Sequence, residues 1–274
     1  MWITKQYFAV YRRLKRYAAA EKYACEGAED MKTVLITGGA SGIGLLCGQC
    51  YAKEGASVVL VDIDREALDA RVKEIKEYHE NVLGICIDIR DYESVKAACK
   101  QTFDTFGSID ILINCAGGAE TRIMGAKGKF HEIPIEVYDF GIDVNLKGAM
   151  YFDHAAMHYM AQQMSGVIIH LGSITGEEGC GKNIAYAASK SALMNGMTKA
   201  IAKAGAEYNV RCCYVAPGPV MTRPAMANMK TLMGRAAETQ EIVDLIMYLA
   251  SDKASFITGS GILADCGRNV MDRK

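Results

Sequence analysis

The run Lys32–Gly44, KTVLITGGASGIG, decides the fold. Thr33 to Thr37 is short, apolar and β-branched, the pattern of a buried strand. Gly38, Gly42 and Gly44 follow, and LLCGQCYAKEGA after them reads as a helix. A second apolar run, ASVVLVD, ends in Asp62, twenty residues beyond Gly42. A glycine-rich loop alone is weak evidence, but a strand, glycines, a helix and a second strand ending in an acid form a βαβ unit that suits a nucleotide. Glycines let the backbone approach a pyrophosphate, whose charge then meets the amides at a helix N-terminus. Asp62 is placed to accept hydrogen bonds from ribose hydroxyls.

The alternation continues outward from this unit. A charged helix from Arg65 to about His79 leads to VLGICID, ending at Asp88. The helix DYESVKAACKQTFDTFG precedes the strand IDILINCAGG, which carries Asn114, Ala116 and Gly117. Strands separated by helices of this length predict right-handed βαβ units and a parallel sheet. Later runs add GVIIHLGS from Gly166, NVRCCYVAPGPVMT from Asn209 and a last helix and strand within EIVDLIMYLASDKASFITGSGILADCG. The expected fold is α/β, a doubly wound Rossmann-type parallel sheet of about seven strands in a single domain over 31–274.

Ser173–Lys190, SITGEEGCGKNIAYAASK, is where the chemistry is expected. Ser173 ends a strand, and NIAYAASKSALMNGMTKAIAKAGAEY is rich enough in Ala, Leu, Met and Lys to read as a long helix. Tyr186 and Lys190 are then i and i+4, neighbours on one face. A free tyrosine titrates near 10, and bringing it to about 7 takes roughly 4 kcal/mol of preference for the phenolate. An ammonium one turn away in a water-poor site is one source of that preference. Taken alone the pair also reads as an ordinary helix pair. Ser173 thirteen residues before Tyr186, together with the nucleotide pattern, favours catalysis.

Ser173, Tyr186-x-x-x-Lys190 and Thr37-Gly38-x-x-x-Gly42-x-Gly44 together resemble the classical short-chain dehydrogenases/reductases, over residues 31 to about 267. The resemblance implies hydride transfer between a secondary alcohol or its ketone and a nicotinamide cofactor; Asp62 favours NAD over NADP, and the methionines of 223–237 would also suit a bulky apolar hydroxy compound. It assigns proton exchange to Tyr186, support of that tyrosine and the nicotinamide ribose to Lys190, the substrate oxygen to Ser173 and a proton relay to Asn145. Cofactor contacts map onto Gly38, Ser41, Gly42, Ile43, Gly44, Asp62, Asp88, Ile89, Asn114, Ala116, Gly117, Tyr186, Lys190, Pro217, Gly218, Val220 and Thr222. Asp88 falls where the family meets the adenine amino group, and Val220 and Thr222 where it holds the carboxamide. Cys115 and Ala216 stand where the family usually has asparagine. A short substrate lid is expected over 223–237, where Met226, Met229 and Met233 read as one face of a short helix or as a pliant apolar cover. Two rivals remain: a 3-oxoacyl thioester reductase of fatty-acid type, and a nucleotide-binding regulator without turnover.

Half of the 274 residues are hydrophobic and the net charge is −1, which suits a large buried core and gives no sign of a nucleic-acid partner. Ten cysteines without regular spacing read as reduced thiols in a cytoplasmic protein. Cys47 and Cys50 lie among Leu45, Leu46 and Tyr51 and read as packing, not as a redox pair. His131, in the polar loop 118–135 with Arg122, Lys127 and Lys129, reads as a surface residue. Residues 1–30 stand apart: Ile3, Tyr7, Val10, Leu14 and Tyr17 make an apolar stripe among basic residues. That pattern suits a helix on a membrane surface or at a subunit interface, or else a segment upstream of a start at Met31; it is no signal peptide. Ala- and Met-rich faces on the helices 135–164 and 184–208 point to a homo-oligomer, a tetramer or a dimer. No metal site is expected.

Overall fold

Seven parallel strands form one sheet in the order β3-β2-β1-β4-β5-β6-β7. The strands are β1 (Thr33–Thr37), β2 (Ser57–Asp62), β3 (Val82–Cys86), β4 (Ile111–Asn114), β5 (Gly166–Leu171), β6 (Val210–Pro217) and β7 (Ser260–Ala264). This is the expected doubly wound α/β sheet, described here from a computed structural model over residues 31–271. The basic stripe of residues 1–30 lies outside the described residues.

Side chains alternate between the two faces of each strand, and both faces are covered, so the strands read as continuous apolar runs. Val34, Ile36, Val58, Leu60 and Ile113 pack on one side with Cys47 of α1 (Gly42–Lys53) and Ile242, Val243 and Ile246 of α10 (Thr239–Ala250). Leu35, Val59, Val61 and Leu112 pack on the other with α3 (Tyr92–Phe106) and α6 (Gly148–Gln163). Cys47 is a core residue and Cys50 packs against the same cluster, as their apolar neighbours implied. The remaining early helix, α2 (Arg65–Lys76), is capped by Asp64 accepting from the Ala67 amide, and α3 ends at Gly107 in the left-handed region. Strand order reverses between β1 and β4, which opens a crevice at their carboxyl ends.

Two long helical runs border that crevice, and each carries one π-helical turn. The first runs from α5 (Ile135–Ile142) through a π turn at Asp143–Lys147 into α6. The second runs from α8 (Ile184–Ala192) through a π turn at Leu193–Met197 into α9 (Thr198–Gly205). In each, an amide reaches five residues back: Gly148 to the Asp143 carbonyl, and Thr198 to that of Leu193. Two short helices, α4 (Glu120–Ile123) and α7 (Thr175–Glu178), fill the loops after β4 and β5.

Polar groups inside this core are joined to one another. The Asn114 amide donates to Asp153 Oδ1 at 2.8 Å, and Asp153 Oδ2 lies 2.9 Å from His170 Nε2. His170 Nδ1 meets the Thr198 hydroxyl at 2.9 Å, and that hydroxyl donates to the Leu193 carbonyl at 2.8 Å. Asp153, His170 and Thr198 are all closed to solvent. Lys190 is buried too: its ammonium donates to the Leu171 carbonyl at 2.6 Å, and burial pulls it down to about 8.

Two stability outcomes follow from these buried groups. Asp153→Ala strands His170 and Asn114 in the core, and a loss of about 3–5 kcal/mol is expected by urea denaturation; a loss below about 1 kcal/mol would mean the network is slack. For Lys190 the sign runs with pH. Below about 8 the residue is charged in both folded and unfolded chains, and the folded state bears the whole cost of burying the charge. As pH rises from there toward the ordinary 10.5, the folded chain sheds its proton first and the cost fades. Between pH 7 and pH 10 the wild type should therefore gain about 2 kcal/mol on a Lys190→Met variant. A pH-independent difference between the two denaturation curves would place the ammonium in solvent.

Candidate active site

The glycine loop lies between β1 and α1, where Gly44 lets the turn close: a Cβ there would overlap the Gly38 carbonyl. Ser41, Gly42 and Ile43 open α1, whose first turn holds no acid and whose N-cap, Ser41, makes no side-chain cap bond. The first amides of a 12-residue helix are thus left without a side-chain acceptor, a fit to the pyrophosphate of a dinucleotide. Asp62, at the end of β2, accepts from the Ala40 amide at 3.0 Å and the Ile63 amide at 2.8 Å. Its carboxylate is therefore fixed beside the loop, as the spacing implied. Arg65, the basic residue nearest in sequence, faces Asp69 on α2.

Other cofactor candidates line the same edge. Asn114 and Ala116 follow β4, and the Ala116 amide donates to the Thr37 hydroxyl at 3.1 Å. Asn114 turns inward to Asp153, so its side chain serves the core. Ile89 is buried at the end of the β3 loop. Asp88 is forked by the Arg90 guanidinium and accepts the Arg90 amide at 2.9 Å, which holds its carboxyl below the usual range. A ligand amino group at Asp88 thus shares it with Arg90. Pro217 gives its carbonyl to the Ile174 amide at 2.8 Å, and the Gly218 amide donates to the Ala264 carbonyl at 2.9 Å. Val220 is buried, and Thr222 is exposed across from Gly42.

Ser173, Tyr186, Lys190 and Asn145 converge at the carboxyl ends of β4 and β5. The Ser173 side chain faces the Tyr186 phenol and favours its ionised form, and its hydroxyl accepts the Thr175 amide at 3.1 Å. The Lys190 ammonium lies 5.6 Å from the centre of the Tyr186 ring. Asn145, buried in the first π turn, clamps the loop after β4: its Oδ1 accepts the Gly118 amide at 2.8 Å and its Nδ2 donates to the Gly118 carbonyl at 3.0 Å. The same Nδ2 donates to the Gly141 carbonyl at 2.9 Å. Gly117, with φ +148°, has to be glycine: a side chain there would strike the Asn145 carbonyl oxygen and stand 3.7 Å from Lys190 Nζ.

Glu120 completes the group and was hidden in sequence. It sits in the stretch read as an irregular polar loop, yet it is closed to solvent. Its two oxygens accept the Ala185 and Tyr186 amides at 3.0 and 3.1 Å. Those amides belong to the first turn of α8, so the buried carboxylate caps the helix that carries the tyrosine.

The electrostatics at the phenol differ from the expectation that Lys190 draws it down. Burial dominates and pushes Tyr186 up; the Ser173 side chain and then the charges of Arg223 and Arg122 oppose that, while Glu120 adds to it. Lys190, itself desolvated and bonded to Leu171, acts on the site through its position below the ring. The lid also departs from the methionine stripe. Its helical part is only the 3-10 turn Pro224–Asn228, so Met226 and Met229 are half-buried while Met233 is 70 % exposed. The far end is fastened by Arg235 on Glu241 and by Arg268 bonding both the Lys230 carbonyl and Glu178. His131 is a surface residue beside Glu132, and no cluster able to hold a metal occurs among the described residues.

A family model described as enoyl-(acyl carrier protein) reductase matches residues 38–269. The chain is 35% identical over 245 residues to a 3-oxoacyl-(acyl-carrier-protein) reductase of Thermotoga maritima, covering 86% of this chain and 97% of that one. It is likewise 35% identical over 250 residues to a trans-4-hydroxycyclohexanecarboxylate dehydrogenase of Sinomonas cyclohexanicum, covering 87% and 93%. Among solved structures, a short chain dehydrogenase from Bacillus anthracis superposes with a TM-score of 0.81 at 29% identity, over 90% of this chain and all of the other. A sheet order, a glycine loop and relatives that agree along nearly the whole length place the chain in the short-chain dehydrogenase/reductase family.

Proposed function

We propose that the protein is an NAD-dependent oxidoreductase that interconverts a secondary alcohol and its ketone. The observation that carries this is one phenol, Tyr186, facing Ser173 and backed by the buried Lys190, beside a glycine loop and an uncapped helix N-terminus. The helix amides of Gly42, Ile43 and Gly44 would hold the pyrophosphate, and Asp62 the adenosine ribose. When bound, the nicotinamide supplies or takes the hydride at the carbinol carbon.

The chain's own residues handle the proton and the geometry. In the reducing direction the Tyr186 hydroxyl gives its proton to the carbonyl oxygen as that oxygen gains charge; in the oxidising direction the phenolate takes it back. Ser173 donates to the same oxygen and fixes the carbonyl against the phenol. Lys190 stands at the Tyr186 ring and would bind the nicotinamide ribose of a bound cofactor, and Asn145 and Gly117 hold the loop after β4. Reduction of a 3-oxoacyl thioester would use these same groups. Asp62 argues against it, since that role generally goes with NADPH, whose 2′-phosphate would meet a fixed carboxylate.

No helix of the described residues is long and apolar enough to cross a membrane, and the nine described cysteines are all free. Unpaired thiols in this number suit a reducing compartment, and we place the enzyme in the cytoplasm. Exposed Met150 and Met164 on and just beyond α6 support association into a dimer or tetramer.

Two measurements test the reading. Tyr186→Phe removes the group that exchanges the proton and leaves the cofactor groove intact, so turnover on a panel of ketones should fall at least a hundredfold, within the range of about 10²–10⁴ for such groups. NADH binding should be little changed, and retention of a tenth of the activity would sink the assignment. Cofactor choice rests on Asp62. Two unit charges at about 4 Å and an effective dielectric near 20 repel by about 4 kcal/mol, and half of that discriminates by roughly thirtyfold. The wild type should prefer NAD to NADP by about that factor in kcat/KM, and Asp62→Ala should lose most of it; an NADP-preferring wild type contradicts the assignment.

A further inference from the structure

We propose that the substrate carries a carboxylate on the same molecule as the reacting carbinol, held by an arginine pair, Arg122 and Arg223, on opposite walls of the crevice. The proposal rests on the oxidoreductase reading above and names its substrate class. Arg122 lies on α4, two residues after the buried Glu120 that caps the Tyr186 helix. Its Nη2 stands 2.7 Å from the point where a Gly118 Cβ would be, over the loop that Asn145 fastens. Arg223 is on the other wall. It follows Thr222, whose methyl is 3.8 Å from the point where a Gly42 Cβ would be, at the start of the lid.

Both charges reach the reacting group. The guanidiniums of Arg223 and Arg122 each act on the Tyr186 phenol, and Arg223 also acts on Arg122, which partial burial already pushes down. Neither guanidinium has a hydrogen-bond or ion-pair partner among the described residues. That sets them apart from the other six described arginines. Arg65, Arg71, Arg90, Arg235 and Arg268 face carboxylates, and Arg211 is bonded by the carbonyls of Leu249, Ser251 and Ile257. Glu120, the acid whose charge reaches the phenol, has both oxygens occupied by amides of α8.

Two like charges that face one crevice without a counter-ion repel until an anion arrives, and both side chains are exposed, so they are open to it. A guanidinium is planar and delocalised, and its paired N–H groups match the two oxygens of a carboxylate. Because Arg122 overhangs the loop that Asn145 clamps next to Lys190 and Tyr186, an anion held there belongs to the molecule whose oxygen meets that phenol. A hydroxy acid or keto acid satisfies the arrangement, with the carboxylate between the arginines and the carbinol at Tyr186 and Ser173.

The test compares keto acids with their own methyl esters, for example 4-oxocyclohexanecarboxylate and its ester, within a wider panel of neutral ketones. Each is assayed for kcat/KM in the wild type, Arg122→Gln, Arg223→Gln and the double variant, with NADH affinity measured alongside. The wild type should favour the acid over its ester at least tenfold. Each single variant should lower the acid-to-ester ratio of kcat/KM about tenfold, with NADH affinity unchanged within about twofold, because any change at the Tyr186 phenol falls on acid and ester alike. Equal use of acid and ester, or turnover of neutral ketones alone, overturns the carboxylate and leaves the oxidoreductase reading standing. Failure of every ketone, with NADH still bound, overturns both. If Arg223→Gln weakens NADH and spares the acid-to-ester ratio, the arginine belongs to the cofactor phosphates and the proposal falls. It falls as well if a 3-oxoacyl group is reduced better on an acidic carrier protein than on N-acetylcysteamine and the variants abolish that difference.

Discussion

The contact between Asp153 and His170, closed to solvent, ties four elements of the active half together. Asp153 comes from α6 and His170 from β5; through Asn114 and Thr198 the pair reaches β4 and α9. Each member has its partners only because the others stay in place, so the network acts as one cross-link and not as four separate bonds. Its two ends lie near the two π turns. Thr198 closes the second directly, and Asn114 ends the strand whose following loop is clamped from the first by Asn145. A shift in α6 is therefore felt at both walls of the crevice.

On that frame the site holds two buried charges of opposite sign at the two ends of one short helix. Glu120 meets the first amides of α8, where the helix field favours a negative charge. Lys190, near the other end, is turned back to the Leu171 carbonyl of β5. Tyr186 lies between them on the same helix, so its height and rotation are set from both ends before any substrate binds. A phenol on an unanchored helix would lose the alignment on which positional catalysis depends.

Some of this was legible in sequence because the information was local. The glycine spacing, the acid after the second strand and the four-residue step from Tyr186 to Lys190 each lie within one supersecondary unit, and all fall where their spacing implied. Glu120 was not legible: its partners are 65 and 66 positions downstream, and a single acid among polar residues has no periodic signature. Arg122 and Arg223 were named only as a loop cation and a lid residue, since their common property is an absence of partners. The methionines failed for a different reason. Their spacing of three and four residues presumes a helix to Met233, but the chain leaves helical geometry at Met229, whose ψ is 130°. Asn145 was read within a long helix, and its grip on Gly118 could not be foreseen without the π turn.

Each π turn is one residue more than a regular helix would hold over the same length, turning everything beyond it by about 100°. Within the first turn Asn145 donates back to the Gly141 carbonyl, and the second brings Thr198 to the Leu193 carbonyl. An engineer idealising this backbone by geometric rules would trim both as irregularities and obtain straighter helices. The trimmed chain would still bury its sheet, because the strands and their apolar faces do not depend on the extra residues. It would lose the clamp on the β4 loop and the link from β5 to the catalytic helix. Here the imperfection in the helix is the part that a designer must copy, and regularity is what would erase the active site.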